Sequence, residues 1–210
     1  VLFDEEYNHT GTFVDIGENA FANFKRLNEV VLGTSVRQIG NDVANQETGD
    51  TAGAFVTATN NTNLVNKVVL SEGLEVIGKA SFRHCFGSAA ASPKSPAGVS
   101  IPTTVQIIGR NAFQDCSNIT EFEFRGALTG ESQLHTIHGF SMSRWNLGED
   151  ASGKLKSEYA TNGYDLIFPA SLRRVGTAVL KNNGAYCSKI NLIFLSKERI
   201  KYTSCNTTNY

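Results

Sequence analysis

Apolar residues recur along this chain in a compound rhythm rather than in a single helix or strand period. "LNEVVLGTSVRQIG" (Leu27–Gly40) and "VNKVVLSEGLEVIG" (Val65–Gly78) match position for position in apolar character, and "VSIPTTVQIIG" and "LIFPASLRRVG" repeat the theme in shorter form. Each has an apolar pair two residues apart, a turn, another apolar residue, then Ile or Val before Gly. The pairs Val30/Leu32, Val68/Leu70, Val99/Ile101, Phe122/Phe124, Leu166/Phe168 and Ile193/Leu195 predict one short strand per unit with one buried face. Gly-Thr-Ser, Ser-Glu-Gly, Pro-Thr-Thr and Pro-Ala-Ser follow as corners, where Pro102 and Pro169 end strand pairing. Gly17, Gly40, Gly78, Gly109 and Gly176 then stand where angles that a side chain resists are expected, ahead of short helical turns such as "ENAFANF" and "RNAFQDC".

Anchoring each unit on that last Ile or Val gives Ile16, Ile39, Ile77, Ile108, Ile137 and Val175. The first interval is 23 residues, within the range of leucine-rich repeats, and the longer ones read as that unit carrying insertions. One such unit cannot enclose its own apolar side, so neighbours stack one strand spacing (about 4.8 Å) apart and the core is a column. The expected fold is a strand-dominated leucine-rich-repeat solenoid (α/β by convention) of about six units, with short parallel strands and short helical turns. Residues 16–195 form the solenoid, 1–15 a partial repeat or N-terminal cap, and 196–210 a C-terminal tail.

"IGENAFANF", "IGKASFRHC" and "IGRNAFQDC", with intervening "IPTTV" and "FPASL", resemble BspA-like leucine-rich repeats over about Ile16–Leu195. The resemblance implies a secreted or surface protein of a host-associated bacterium that adheres to host or cell-surface proteins, or to glycans, without catalysis or cofactor. His138 stands where the pattern has Gly, and residues 138–164 depart from it.

Composition narrows the partners. Nineteen basic and 20 acidic residues give a net charge of -1 without long runs of one sign, which argues against a nucleic-acid partner. No apolar run approaches the roughly 18 residues of a membrane span, and the start lacks a basic segment followed by an apolar one, so direct membrane insertion is not expected. Beginning at Val1 rather than Met points to a processed chain or a piece of a longer one. Asn-x-Thr triplets start at Asn8, Asn60, Asn118 and Asn206, and chance in an Asn- and Thr-rich chain accounts for them.

Four cysteines form no Cys-x-x-Cys pair. Cys85 and Cys116 fall eight residues after their anchors, as Phe24 does, and Cys187 shares their spacing to the next apolar residue. Phe24, Cys85, Cys116 and Cys187 read as core, since free Cys behaves as a small hydrophobe. A Cys85–Cys116 bridge between adjacent units is the alternative. A hydrolase using Cys85 or Cys116 is a remote third reading: His84 and Asp115 adjoin them, yet neighbours in a turn point apart, so both are expected outward. His135 and His138 lack a carboxylate or Cys at a repeated offset, so no metal site is expected.

What remains is surface. The residue between the inward pair of each strand, Val31, Val69, Ser100, Glu123, Ile167 and Phe194, faces outward as a candidate protein-binding row. Four are apolar, which fits either a contact site or mutual shielding by neighbouring strands. Insertions near 45–63, 86–98 and 143–165 fall between turn and strand and should crowd one rim, where Trp145, Tyr159 and Tyr164 are candidate contacts. Trp145 either anchors a partner there or folds back over the column.

Overall fold

The computed structural model describes residues 13–24, 27–40, 53–56, 65, 67–86, 97–181 and 190–197, and the backbone of 201–202. Among these, thirteen short strands alternate between two stacks. The first holds β2 (Glu29–Val31), β4 (Lys67–Val69), β6 (Ala97–Ile101), β8 (Ile119–Phe124), β10 (Tyr164–Phe168) and β12 (Ile190–Phe194). They join as the parallel pairs β2–β4, β6–β8 and β10–β12, with β4 beside β6 and β8 beside β10. The second is a seven-stranded parallel sheet of β1 (Val14–Ile16), β3 (Val36–Ile39), β5 (Val76–Ile77), β7 (Ile107–Ile108), β9 (Thr136–Ile137), β11 (Arg174–Val175) and β13 (Lys201–Tyr202). The repeat pattern predicted only the first stack. The "Val-x-x-Ile" and "Ile-Ile" stretches after each corner are too short to read as strands alone, and pairing with their copies makes them so. This sheet starts at Val14 and reaches Tyr202, past both boundaries drawn at 16 and 195.

Each unit therefore runs strand, corner, strand, turn, and its inward residues meet in one column. Val30 and Leu32 from the first sheet, Val36 and Ile39 from the second and Phe55 from the turn are all at most 1% exposed. Their equivalents continue through Ile77, Phe82, Ile108, Phe113, Ile137 and Leu166, each fully buried. Fully burying such a side chain contributes roughly 1.5–3 kcal/mol, available only where a neighbouring unit supplies the other wall.

The third side is a run of turns, not helices. N–H groups of Ser81, Arg83 and Cys85 bond back within the turn to Gly78, Ala80 and Phe82, while those of Ala80, Phe82 and His84 donate to Arg110, Ala112 and Gln114 of the next unit. Helical pairing would take all of these donors; alternation spends half of them along the stack, as a third ladder. The alternation needs left-handed residues at fixed places: Ala80, Asn111, Phe140 and Ala178 three residues after their anchors, and His84, Asp115 and Arg144 seven after, all with φ between 52° and 63°. Of the five glycines expected to hold unusual angles, only Gly40 has positive φ (77°). Gly109 is required for a different reason, because a Cβ there would lie 2.6 Å from the Gly78 carbonyl carbon.

Phe21, Phe55, Phe82 and Phe113 stack ring over ring at 5.1, 5.1 and 5.2 Å, and Trp145 closes on Phe113 edge-on at 6.2 Å. Phe55 is thus the second unit's turn phenylalanine, so that insertion divides around the turn instead of following it. Phe24, expected in the core, is 49% exposed: it shares the eighth position with Cys85 but lies in the first unit of the stack.

Candidate functional site

The outer face of the first sheet carries two rows. Strand pairing sets Val31 beside Val69, Ser100 beside Glu123, and Ile167 beside Ile193. The second row sets Glu29 beside Lys67, Gly98 beside Glu121, and Asp165 beside Asn191. Val31, Val69, Ser100 and Ile167 are half-buried and Glu123 is exposed. Phe194 does not belong to this face. β12 pairs residue for residue with β10, placing Phe194 on Phe168 in the inward column, with rings 4.5 Å apart and 5° from parallel. It is 43% exposed because no later strand of this sheet covers it among the described residues, and Ile193 takes the outward position. Strands of apolar residues at consecutive positions ("INLIF") hide their register, which only the Tyr164–Phe168 partner resolves.

The rim residues part company. Trp145 is fully buried and donates its indole N–H to the Phe113 carbonyl (2.7 Å), so it folds over the column and is no exposed anchor. It lies eight residues after Ile137, the register of Cys116 after Ile108, and is core for the same reason. Tyr164 is the inward first residue of β10, 6% exposed; its hydroxyl donates to the Phe122 carbonyl (2.8 Å) and accepts from the Phe122 N–H (2.6 Å). Burial pushes that phenol up to about 12. Tyr159 alone of the three reaches the surface. It is half-buried, packed edge-on against Tyr164 at 5.1 Å, within a loop whose Lys156 pairs with Glu121 on the sheet face.

Charge on this face is mostly negative. Glu123 accepts the Ser100 hydroxyl (2.6 Å) and Asp165 accepts from Asn191 (2.7 Å). Among the described residues neither carboxylate has a cation within ion-pair distance. Arg125 is held by Glu72 (3.2 Å) and the Leu70 carbonyl. Thr103 and Thr104 hold the Glu72 carboxylate below the usual range with three hydrogen bonds, against a burial effect that works upward.

The cysteine constellation is architecture. Cys85 and Cys116 are free, fully buried thiols that donate to the Phe55 (2.6 Å) and Phe82 (3.0 Å) carbonyls. Burial pushes Cys116 up to about 12 and Cys85 higher than its ordinary range, the reverse of an activated nucleophile. His84 and Asp115, however, do not face outward: they are 4% and 5% exposed. The left-handed turn lays each along the stack, so His84 Nδ1 comes 3.7 Å from Asp115 Oδ2 of the next unit, and Arg144 of the unit after bonds Asp115 Oδ1 at 2.7 Å. Burial lowers the His84 imidazole, with Asp115 opposing and Arg83 and Arg144 assisting. His135 Nδ1 sits 2.9 Å from the Thr136 hydroxyl, and no group of three metal-ligating side chains occurs among the described residues. Asn118 and Thr120 are buried at 2%, closing that Asn-x-Thr triplet to modification in the folded chain; Asn8, Asn60, Asn206, Cys187 and Cys205 lie outside the described residues.

A family model described as a BspA type leucine-rich repeat region matches residues 5–48, 56–124 and 88–193 in 6 copies. No curated protein and no solved structure matches the chain.

Proposed function

Because the chain belongs to the BspA-type leucine-rich repeat family, whose repeats are generally non-catalytic protein-binding modules of surface or secreted proteins, we propose that it binds a protein of a host or of another cell through the outer face of the first sheet. One observation carries this reading: Val31, Val69 and Ile167 keep part of their apolar area at the surface among the described residues, on a sheet face with exposed Glu123 and Asp165. A folded chain retains such a mixed apolar and carboxylate face at a cost in solubility, and a partner's surface offsets that cost. The half-burial of these residues beside their strand neighbours, Val31 with Val69 and Ile167 with Ile193, favours the second reading, a structural spacer within a larger surface protein.

Screening against secreted and surface proteins with Val69→Arg and Glu123→Lys separates the two. Both variants keep the fold, since neither side chain enters the column, and the binding reading expects loss of at least about tenfold in affinity. Arg110→Glu, on the turn side, should bind as the parent does. Capture of no partner by any form would leave the spacer reading, and equal capture by all forms would move the contact off the strand face.

A further inference from the structure

Two cavities, of about 490 and about 670 Å³, open on the first sheet on either side of Glu123. Tyr159, Tyr164 and Glu123 line both. The larger adds Leu128, Ile167 and Asp165, and Leu128 is 75% exposed, more than any other large apolar side chain among the described residues. Its wall is thus an apolar and aromatic floor (Leu128, Ile167, Tyr159) edged by carboxylates. The single guanidinium on that wall, Arg125, is already held by Glu72 and the Leu70 carbonyl. Glu123 and Asp165 accept from the neutral donors Ser100 and Asn191.

A purely apolar guest would strand those carboxylates under it, and an anionic guest would meet like charge. A lysine or arginine side chain satisfies every wall: its methylene stem lies on Leu128 and Ile167, its cation on the Tyr159 ring and between Glu123 and Asp165. Resting on the strand-face reading above, we propose that this cavity receives a lysine or arginine side chain of the protein partner, so that the partner presents a basic segment to the sheet. The distribution of charge supports this. Among the described residues the turn side carries Lys79, Arg83, Arg110, Arg144 and Lys181 against Glu18 and Asp115, while the sheet-side cations Lys67, Arg125 and Lys156 are each paired with a carboxylate, so a basic segment is repelled from the turns and drawn to the sheet.

The test is calorimetric titration of the whole chain with a blocked peptide of alternating lysine and glycine, the same peptide with acetylated lysines, and a neutral oligosaccharide. The lysine peptide should bind, weaken with added salt, and lose about threefold in affinity on Glu123→Gln, Asp165→Asn or Leu128→Ser. Asp15→Asn, on the second sheet, should leave it unchanged. Equal binding of the acetylated peptide, indifference to the three substitutions, or binding of the oligosaccharide in place of the peptide overturns the proposal. Should the peptide fail while a captured protein still loses binding through Glu123→Lys, the strand-face reading stands and the basic-segment proposal falls.

Discussion

Ala178 holds φ at 53°, a conformation that costs an L-residue with a Cβ roughly 1–2 kcal/mol. Asn19 and Asn111 fill the same register at 59° and 58°, where an amide side chain is tolerated. Ala178→Asn should therefore stabilise the chain by about 0.5–1 kcal/mol in denaturant unfolding, although it adds a polar group. His84 is the converse case, a titratable group where Asn23 would serve. Its folded value is lowered from 6.5, so as pH falls below about 6.5 the unfolded chain takes up the proton first and stability declines. Glu149 works oppositely: burial and Asp150 raise its carboxyl, so its contribution is present at low pH and is lost as pH rises through the raised value. Both effects operate in the parent, but only that of Glu149 survives in His84→Asn. The stability of the parent minus that of His84→Asn, followed from about pH 7.5 to 5.5, should fall as pH drops, because the parent alone loses stability through His84. A constant difference would show that His84 is not held neutral. Cys85 and Cys116, in a Cys187→Ser, Cys205→Ser background, should resist disulfide reagents until the chain unfolds.

At the level of elements, the aromatic column ties turns to strands. Phe82→Ala removes a ring stacked at 5.1 and 5.2 Å on both sides and should cost about 3–5 kcal/mol. Tyr164→Phe keeps the ring but leaves the Phe122 N–H and C=O without their partner, and about 1–3 kcal/mol of unfolding free energy should go with it. These columns were partly legible in the chain itself. Counting eight from each anchor placed Cys85 and Cys116 inside, and the same count from Ile137 lands on Trp145. Phe55 escaped because 16 residues separate it from Ile39, where Phe82 is five from Ile77. The Ala-Phe pair at 54–55 was the available signal. The second sheet escaped for a different reason. Strands of two residues have no periodicity of their own, and their conformation is decided by the copy one unit away.

At the scale of the whole molecule, charge among the described residues sorts by face where it does not sort by stretch. Mixed signs along the sequence become a sheet side where Glu29, Glu72, Glu121, Glu123, Glu158 and Asp165 outnumber Lys67, Arg125 and Lys156, and a turn side rich in Arg and Lys. No linear reading of charge reveals this, because residues 23 to 38 apart in sequence become neighbours only once the units stack. The outward orientation of Val31, Val69, Ser100, Glu123 and Ile167 was legible for the same geometric reason that the core was, and the cavity beside Glu123 was not, since Leu128 and Tyr159 reach it from a corner and a loop. Footprinting the chain in complex with a captured protein tests this account most directly, by modification of exposed side chains with and without the partner. Protection should gather on Glu123, Leu128, Tyr159 and Asp165 and leave Arg110, Arg144 and Lys181 as reactive as before. Protection of the turn side with the sheet face unchanged would contradict it.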